Sequence, residues 1–357
     1  MTKFILIVFC MGWLYALQAQ QKNYNPVDSR VQQAGAMADK NLAVIAATLT
    51  GSFTSKEEKA RAIYYWIANY IALDPKGVKT NDQKNSDPVK VIELRKATSL
   101  GFSLLFQEMC SQANIRCLSV DGYVKNFPEE INDIPDEINH SWNVVQLGLS
   151  PEEWYYVDAA KGSGYLDKKR SVFTKKFTSG YFFANKILFN LDHYPDNKAW
   201  QLEDGPGSLK EFYALPVIEA GAYDLGLQKP KPSAGLLKLK TNATVQFSIP
   251  YKGNKIDSIE LVTGKEKKLN KPIPVDFKIS DNTILFSYIF KTEAEYPLLI
   301  RVDGKEILSY LLEVNEQKMY TFIKILCSLF SRGFFSVYFF KCRIYRLCQF
   351  IVSRFSH

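Results

Sequence analysis

The sequence predicts an α+β domain followed by an all-β domain of the immunoglobulin-like sandwich type. Two helical patterns come first, and from residue 118 onward apolar and polar residues alternate. A helix pair followed by several antiparallel-looking strands is typical of an α+β domain. After residue 236, short alternating runs are separated by Gly, Asn, Asp and Pro, which is the pattern of a small β-sandwich. The length of 357 residues fits two such domains.

The first 19 residues predict a signal peptide. Lys3 supplies the positive start, an apolar run follows it, and Ala19 offers a small residue for cleavage. The alternative is a membrane anchor, but the apolar run is short for a span and leads directly into polar residues. We therefore expect an exported protein, either periplasmic or secreted.

The helical part of the sequence comes in two pieces. Residues 20–52 are rich in alanine and predict an N-terminal helical segment. A capping-box pattern at Thr54–Glu57 then opens an amphipathic helix that ends at Asp74-Pro75, and a polar stretch after it predicts a loop. Residues 99–113 predict a second helix with its apolar residues on one face.

Strands follow the second helix, and a second domain follows the strands. Residues 118–125 predict a strand, an acidic loop comes next, and two further strands are joined by a short turn. We place the α+β domain at residues 53–226 and a linker, by composition, at 227–235. The predicted sandwich at 236–315 contains neither cysteine nor tryptophan, which excludes an antibody-type domain.

The net charge of +8 is located at the two ends of the chain. One cation in residues 1–19 and a net +6 in residues 316–357 leave +1 for residues 20–315, so we expect no nucleic-acid partner. The C-terminal tail, 316–357, is basic and aromatic, and its longest uncharged run is too short to span a bilayer. One interpretation is contact with a membrane surface. The other is an unstructured passenger, added by read-through or a shifted frame.

Two residues in the predicted strands suggest chemistry. His140 opens one strand and Asp158 closes the next. If the two strands pair as a hairpin, the end of the second lies opposite the start of the first. A histidine oriented by a carboxylate is the base half of a nucleophilic triad. The alternative is a structural histidine, hydrogen-bonded near a strand end.

Other candidate residues carry less information. His193 precedes a Tyr-Pro pair and predicts a loop packed on the core, and no second His or Cys lies at ligand spacing. We therefore expect no metal site and no cofactor. Cys110 and Cys117 either form a disulfide, if the chain turns back sharply, or are two small buried apolar residues.

Several segments, in this order and spacing, resemble the transglutaminase-like superfamily, and in particular an exported bacterial branch related to the kyphoscoliosis peptidase family. The resemblance covers roughly residues 50–215. It implies a papain-like core with a Cys–His–Asp triad, in which the histidine is His140, the aspartate is Asp158 and the position of the nucleophilic cysteine is held by Ser99. The segments are KARAIYYWIANYIALD, RKATSLGFSLLFQEMC, GYVK, NHSWNVV, WYYVDAAKGSGY and FNLDHYPDNKAWQL.

The serine changes the expected function. A thiol at a helix start beside an imidazolium ionises readily, whereas a hydroxyl must lose its proton during attack. Our leading hypothesis is a catalytically impaired relative that binds a peptide, a protein or a cell-envelope component in the former active-site cleft. A second hypothesis is an active amidase, protease or acyl-transferase that uses Ser99, His140 and Asp158. A third is an envelope scaffold that acts through the sandwich and the tail. The sequence leaves the oligomeric state open.

Overall fold

The computed structural model describes residues 22–150, 153–253, 255–264, 271–291 and 293–315. The predicted signal peptide and the basic tail lie outside the described residues. In the part of the chain that the structure describes, no helix is both long enough and apolar enough to cross a membrane. The α-helices are α1 (Asn25–Ala34), α2 (Leu42–Thr50), α3 (Lys56–Tyr70), α4 (Pro75–Thr80), α5 (Pro88–Leu94), α6 (Ser99–Gln112), α7 (Ala159–Ser163), α8 (Lys186–Asp192), α9 (Leu209–Ala214) and α10 (Gly221–Leu225).

The strands lie mostly in the second half of the chain. Those of the first part are β1 (Ala72–Leu73), β2 (Lys96–Ala97), β3 (Arg116–Val124), β4 (His140–Gln146), β5 (Trp154–Val157), β6 (Gly164–Leu166), β7 (Phe173–Lys175), β8 (His193–Pro195) and β9 (Val217–Ile218). Those of the second part are β10 (Leu236–Lys240), β11 (Thr244–Pro250), β12 (Ile259–Thr263), β13 (Ile273–Pro274), β14 (Lys278–Ser280), β15 (Thr283–Ile289), β16 (Ala294–Val302) and β17 (Lys305–Asn315).

Helix α3 begins one residue later than the capping-box pattern predicts. Ser55, not Thr54, is the N-cap, and its side chain accepts a hydrogen bond from the backbone N–H of Glu58 at 3.1 Å. The Glu58 carboxylate in turn accepts from the Ser55 hydroxyl at 2.8 Å. This cap satisfies one of the backbone donors that a helix start leaves free, and the acidic first turn suits the helix dipole.

The segment between the first two predicted helices is not a plain loop. Pro75 opens the short helix α4, because proline has its φ fixed near the helical value and its missing N–H costs nothing in a first turn. β1 and β2 pair in parallel, with Ala72 beside Lys96 and Leu73 beside Ala97. The chain therefore returns to the end of α3 directly before α6 begins.

A four-stranded antiparallel sheet with the strand order β5-β4-β3-β8 forms the centre of the first part. Its two faces are covered differently. Val145 and Val157 pack into an apolar cluster with α3 and α6, whereas Val144 and Tyr156 pack into a second cluster on the opposite face. Because side chains alternate along a strand, β4 is buried from both sides.

The second part contains two sheets that share a core. One sheet has the order β10-β17-β16-β12-β13, with β9 also paired to β17, and the other has the order β11-β15-β14. Phe247 of the smaller sheet lies edge-on to Tyr310 of the larger, with ring centroids 5.8 Å apart. A first part of mixed helices and strands followed by mostly antiparallel sheets agrees with the predicted order of an α+β domain and a β-rich domain.

The two parts of the chain are packed closely together. The apolar cluster that contains Val144 and Tyr156 continues into the second part through Phe247 and Tyr310. The segment predicted as a linker is hydrogen-bonded to strand β11, since the backbone N–H of Lys231 donates to the carbonyl of Ser248 at 2.8 Å. Neither part is therefore separable from the other without exposing apolar surface.

Glu219 lies at the junction of the two parts and predicts a pH dependence of stability. Burial raises the pKa of its carboxyl from 4.5 to about 7, although the Ser309 hydroxyl donates to it at 2.6 Å. The folded state then binds this proton more tightly than the unfolded state, so stability falls as pH rises from about 4.5 to about 7. Glu219→Gln replaces the carboxyl by an amide that does not titrate, so this loss of stability with rising pH should disappear. Between pH 4 and pH 8 we expect the unfolding free energy of the variant, measured with urea, to gain on that of wild type by about 3 kcal/mol. If the unfolding free energies of the variant and of wild type differ by the same amount at pH 4 and at pH 8, the prediction is wrong.

Candidate active site

Ser99 is the first residue of helix α6 and is half-buried. The residue before it, Thr98, has extended backbone angles and donates its hydroxyl to Gln83 Oε1 at 2.6 Å, which fixes the chain where the helix begins. Gly101 allows the close approach of neighbouring residues, because a Cβ there would lie only 2.7 Å from the Cβ of Ala97. Ser99 Oγ accepts a hydrogen bond from the backbone N–H of Ser141 at 3.2 Å. The structure thus places Ser99 beside the start of β4.

His140 and Asp158 meet as the hairpin interpretation predicts. β4 and β5 pair in antiparallel register with Asn143 opposite Val157, so the start of one strand lies beside the residue that follows the other. His140 Nε2 is 2.6 Å from Asp158 Oδ2. Asp158 is also the N-cap of α7, where its Oδ1 accepts from the backbone N–H of Lys161 at 2.9 Å.

The pair is well shielded from water on the carboxylate side. The side chain of Asp158 is 1% exposed and that of His140 is 10% exposed. Burial opposes ionisation of Asp158, but the charges and hydrogen bonds of His140 and His193 outweigh it and hold the pKa of this carboxyl well below its usual range. Asp158 is therefore a carboxylate at neutral pH, as a group that orients an imidazole must be.

His193 is a member of the same cluster, although its sequence pattern predicts only a loop packed on the core. It stands where α8 ends and β8 begins, not in a loop, and its Nε2 lies 3.0 Å from Asp158 Oδ2. Desolvation by complete burial lowers the pKa of its imidazole. One signal in the sequence could have pointed to it, since only three histidines occur in the chain.

The same cluster is the group of side chains, among the described residues, that could hold a metal ion. The donor atoms of His140, Asp158 and His193 all lie within 4.8 Å of one another. Two of these separations, 2.6 and 3.0 Å, are hydrogen-bond distances between an imidazole nitrogen and the carboxylate. The donor atoms therefore satisfy one another. A site without metal or cofactor stays a prediction.

A polar cavity of about 180 Å³ adjoins the start of α6. Thr98 lines it from the helix, and charged residues of both signs line the rest, among them Asp74, Asp82, Lys76 and Lys96. Lys96 Nζ lies 3.5 Å from Asp74 Oδ1, so part of this charge is internally balanced. The cavity is therefore polar without a strong net charge.

Neither described cysteine lies where the resemblance places the nucleophilic thiol. Cys110 and Cys117 are both free and buried. Burial raises the pKa of the Cys110 thiol, with a contribution from neighbouring Cys117. Cys110 also lies eleven residues along α6 from Ser99, which corresponds to about 16 Å of helix. Their arrangement agrees with the interpretation as small buried residues.

Together, the helix start at Ser99 and the His140–Asp158 pair on adjacent strands are the arrangement expected of a transglutaminase-like domain. A model of the transglutaminase-like superfamily matches residues 43–159 of this chain. The predicted resemblance to this superfamily is thereby confirmed.

Among known proteins, the chain is similar to kyphoscoliosis peptidase, which confirms the predicted resemblance to that family. It is 32% identical to the Mus musculus protein over 197 residues, which are 54% of this chain and 29% of that protein. The same identity and coverage hold for the Homo sapiens protein. Hillarin of Drosophila melanogaster is 24% identical over 221 residues, or 57% of this chain and 26% of that protein. The chain therefore spans less than a third of the length of these relatives.

Proposed function

We propose that this protein is a catalytically impaired transglutaminase-like protein that binds an extended segment of a peptide, a protein or a cell-envelope component in the cleft at Ser99 and His140. One observation carries the proposal. A hydroxyl stands at the start of α6, where the resemblance places the nucleophilic thiol, while the His140–Asp158 pair beside it keeps a 2.6 Å contact.

The chemistry of the hydroxyl supports impairment. A cysteine with a pKa of about 8.5 is brought into its reactive thiolate form by a helix start and a neighbouring imidazolium. A serine hydroxyl has no such accessible anion and depends on proton removal by His140 during attack.

The second candidate function is an amidase, protease or acyl-transferase that acts through Ser99, His140 and Asp158. The observation in its favour is the short, buried contact between His140 and Asp158, because serine triads of this composition act on other folds. In that reaction His140 would take the proton of Ser99, and Asp158 would orient the imidazole.

Three further features belong to the proposal. The two facing sheets of the second part support an immunoglobulin-like sandwich. Export to the periplasm or beyond follows from the predicted signal peptide of a bacterial protein, and contact with a membrane surface follows from the basic tail. A scaffold role for the sandwich and tail stays an alternative to binding in the cleft.

A peptide-binding measurement tests the proposed cleft. Full-length protein is screened against an immobilised library of ten-residue peptides, and the strongest binder is measured by fluorescence anisotropy. Ser99→Phe should weaken binding at least about tenfold, because the ring would fill the proposed cleft at the start of α6. The control, Ser111→Phe, alters an exposed serine near the other end of the same helix and should bind like wild type. Equal binding by the Ser99→Phe variant would contradict the proposal, and a wild-type protein that binds no peptide would exclude a short peptide as the ligand.

A further inference from the structure

We propose that His193 is a positioning residue, which holds the Asp158 carboxylate in the orientation that presents Oδ2 to His140. The inference rests on the proposed function only in treating His140 and Asp158 as the surviving part of a triad. It adds a second imidazole to that site, on the side of the carboxylate away from the cleft.

The Asp158 carboxylate is held from three directions. Oδ2 lies 2.6 Å from His140 Nε2 and 3.0 Å from His193 Nε2, and Oδ1 accepts the backbone N–H of Lys161 at 2.9 Å. To donate to this carboxylate, His193 must carry its proton on Nε2. Without His193, Oδ2 keeps a single donor, and that donor is on the partly exposed imidazole that the carboxylate is meant to orient.

His193 is itself fixed by packing. Its ring lies flat against Phe189, with centroids 3.7 Å apart and an interplanar angle of 8°. Trp142 meets the imidazole edge-on at 5.1 Å, and the His193 side chain has no exposed surface. A side chain locked in this way can transmit a fixed position to the group it contacts, which is what a supporting residue of an active site requires.

A second carboxylate stands behind His193. Asp192 Oδ2 lies 3.4 Å from His193 Nδ1, a nitrogen that makes no hydrogen bond within the described part of the chain. Lys161 Nζ holds Asp192 Oδ1 at 2.9 Å, and the Tyr223 hydroxyl donates to Oδ2 at 3.1 Å. Lys161 therefore touches both carboxylates, Asp158 through its backbone and Asp192 through its ammonium group. The order from the cleft inward is His140, Asp158, His193, Asp192.

The proposal is tested by NMR on the full chain with ¹⁵N-labelled histidine side chains. With only three histidines in the chain, His357→Gln identifies the third signal and leaves two to assign. In wild type we expect a downfield, slowly exchanging Nε2 proton for His140, because its contact with Asp158 is short. His193→Phe keeps the ring stack on Phe189 but removes the N–H that donates to Asp158. In this variant the His140 Nε2 proton should move upfield, and its signal should disappear because the proton exchanges with solvent. His193→Gln restores a donor of similar reach and should retain it.

The variant His193→Asn distinguishes a positioning role of His193 from general support of the fold. An asparagine side chain at this position is polar but cannot reach Asp158, so His193→Asn should lose the His140 signal that His193→Gln keeps. If the His193→Phe variant does not fold, the comparison of His193→Asn with His193→Gln is the test. An unchanged His140 proton in a folded Phe or Asn variant would overturn the proposal, and so would its absence from wild type. The measurement needs neither ligand nor turnover, so its failure is distinct from failure of the proposed function.

Discussion

A cysteine introduced by Ser99→Cys is expected to react as a thiolate down to about pH 6. The new thiol would stand at the start of α6 beside His140, and both a helix start and an imidazolium lower a thiol pKa. Its alkylation by iodoacetamide should fall less than about threefold from pH 8 to pH 6. An ordinary thiol, with a pKa of about 8.5, should slow roughly a hundredfold over the same range.

The chain offers a matched control for this measurement. Ser111→Cys places an exposed thiol near the other end of the same helix and should show the ordinary profile. Cys110 and Cys117 are buried in both variants and should not react in the folded protein. The other four cysteines of the sequence, Cys10, Cys327, Cys342 and Cys348, are replaced by serine in both variants. Adding His140→Ala or Asp158→Asn to the Ser99→Cys variant should return it to the ordinary profile. If the Ser99→Cys variant follows the Ser111→Cys profile instead, the remaining groups are not arranged as a triad.

Replacing Asp28 by alanine is expected to cost about 3–5 kcal/mol of unfolding free energy, because it leaves a buried guanidinium without its carboxylate partner. Arg61 on α3 is 1% exposed, and Asp28 on α1 is 17% exposed. The pair is bidentate, with Arg61 Nε 2.8 Å from Asp28 Oδ1 and its terminal nitrogen 2.6 Å from Oδ2. The guanidinium also lies 4.8 Å from the ring centre of Tyr24, so it is enclosed by aromatic surface.

The effect is measured by chemical denaturation of the full chain. Asp39→Ala is the control, since Asp39 pairs with Lys40 on the surface, where both side chains are largely exposed, and its loss should leave stability unchanged. Combining Asp28→Leu with Arg61→Met removes both charges and should recover much of the loss. A decrease below about 1 kcal/mol for Asp28→Ala would show that water reaches the guanidinium.

The pairing of His140 with Asp158 could be predicted from the sequence because it depends only on two strands that follow each other along the chain. Two strands joined by a short turn can pair in few registers, and each places the start of one beside the end of the other. Helix α6 was predicted for a similar reason, since its apolar periodicity is contained in one segment. The interpretation of Ser99 came only from the resemblance, because a serine at a helix start is otherwise a common cap.

The contacts of His193 and Arg61 depend on the tertiary fold and left no local pattern. His193 reaches Asp158 because β8 pairs with β3, and this pairing joins Val124 to His193, which are far apart in the sequence. Arg61 lies among the apolar residues of α3, and nothing in the sequence marks Asp28, 33 residues earlier, as its partner. Helix α4 was missed because its composition is that of a polar loop, and only Pro75 marks its start.

Covalent labelling of the wild-type protein tests the central claim most directly. The full chain is incubated with a fluorophosphonate, which reacts with activated serines, beside a serine protease as a positive control, and intact mass is recorded for wild type and Ser99→Ala. Because Ser99 has a hydroxyl where the resemblance places a readily ionised thiol, we predict no adduct in either protein. A stoichiometric adduct on wild type that is absent from Ser99→Ala would show an active serine nucleophile and would contradict the account of an impaired, peptide-binding cleft.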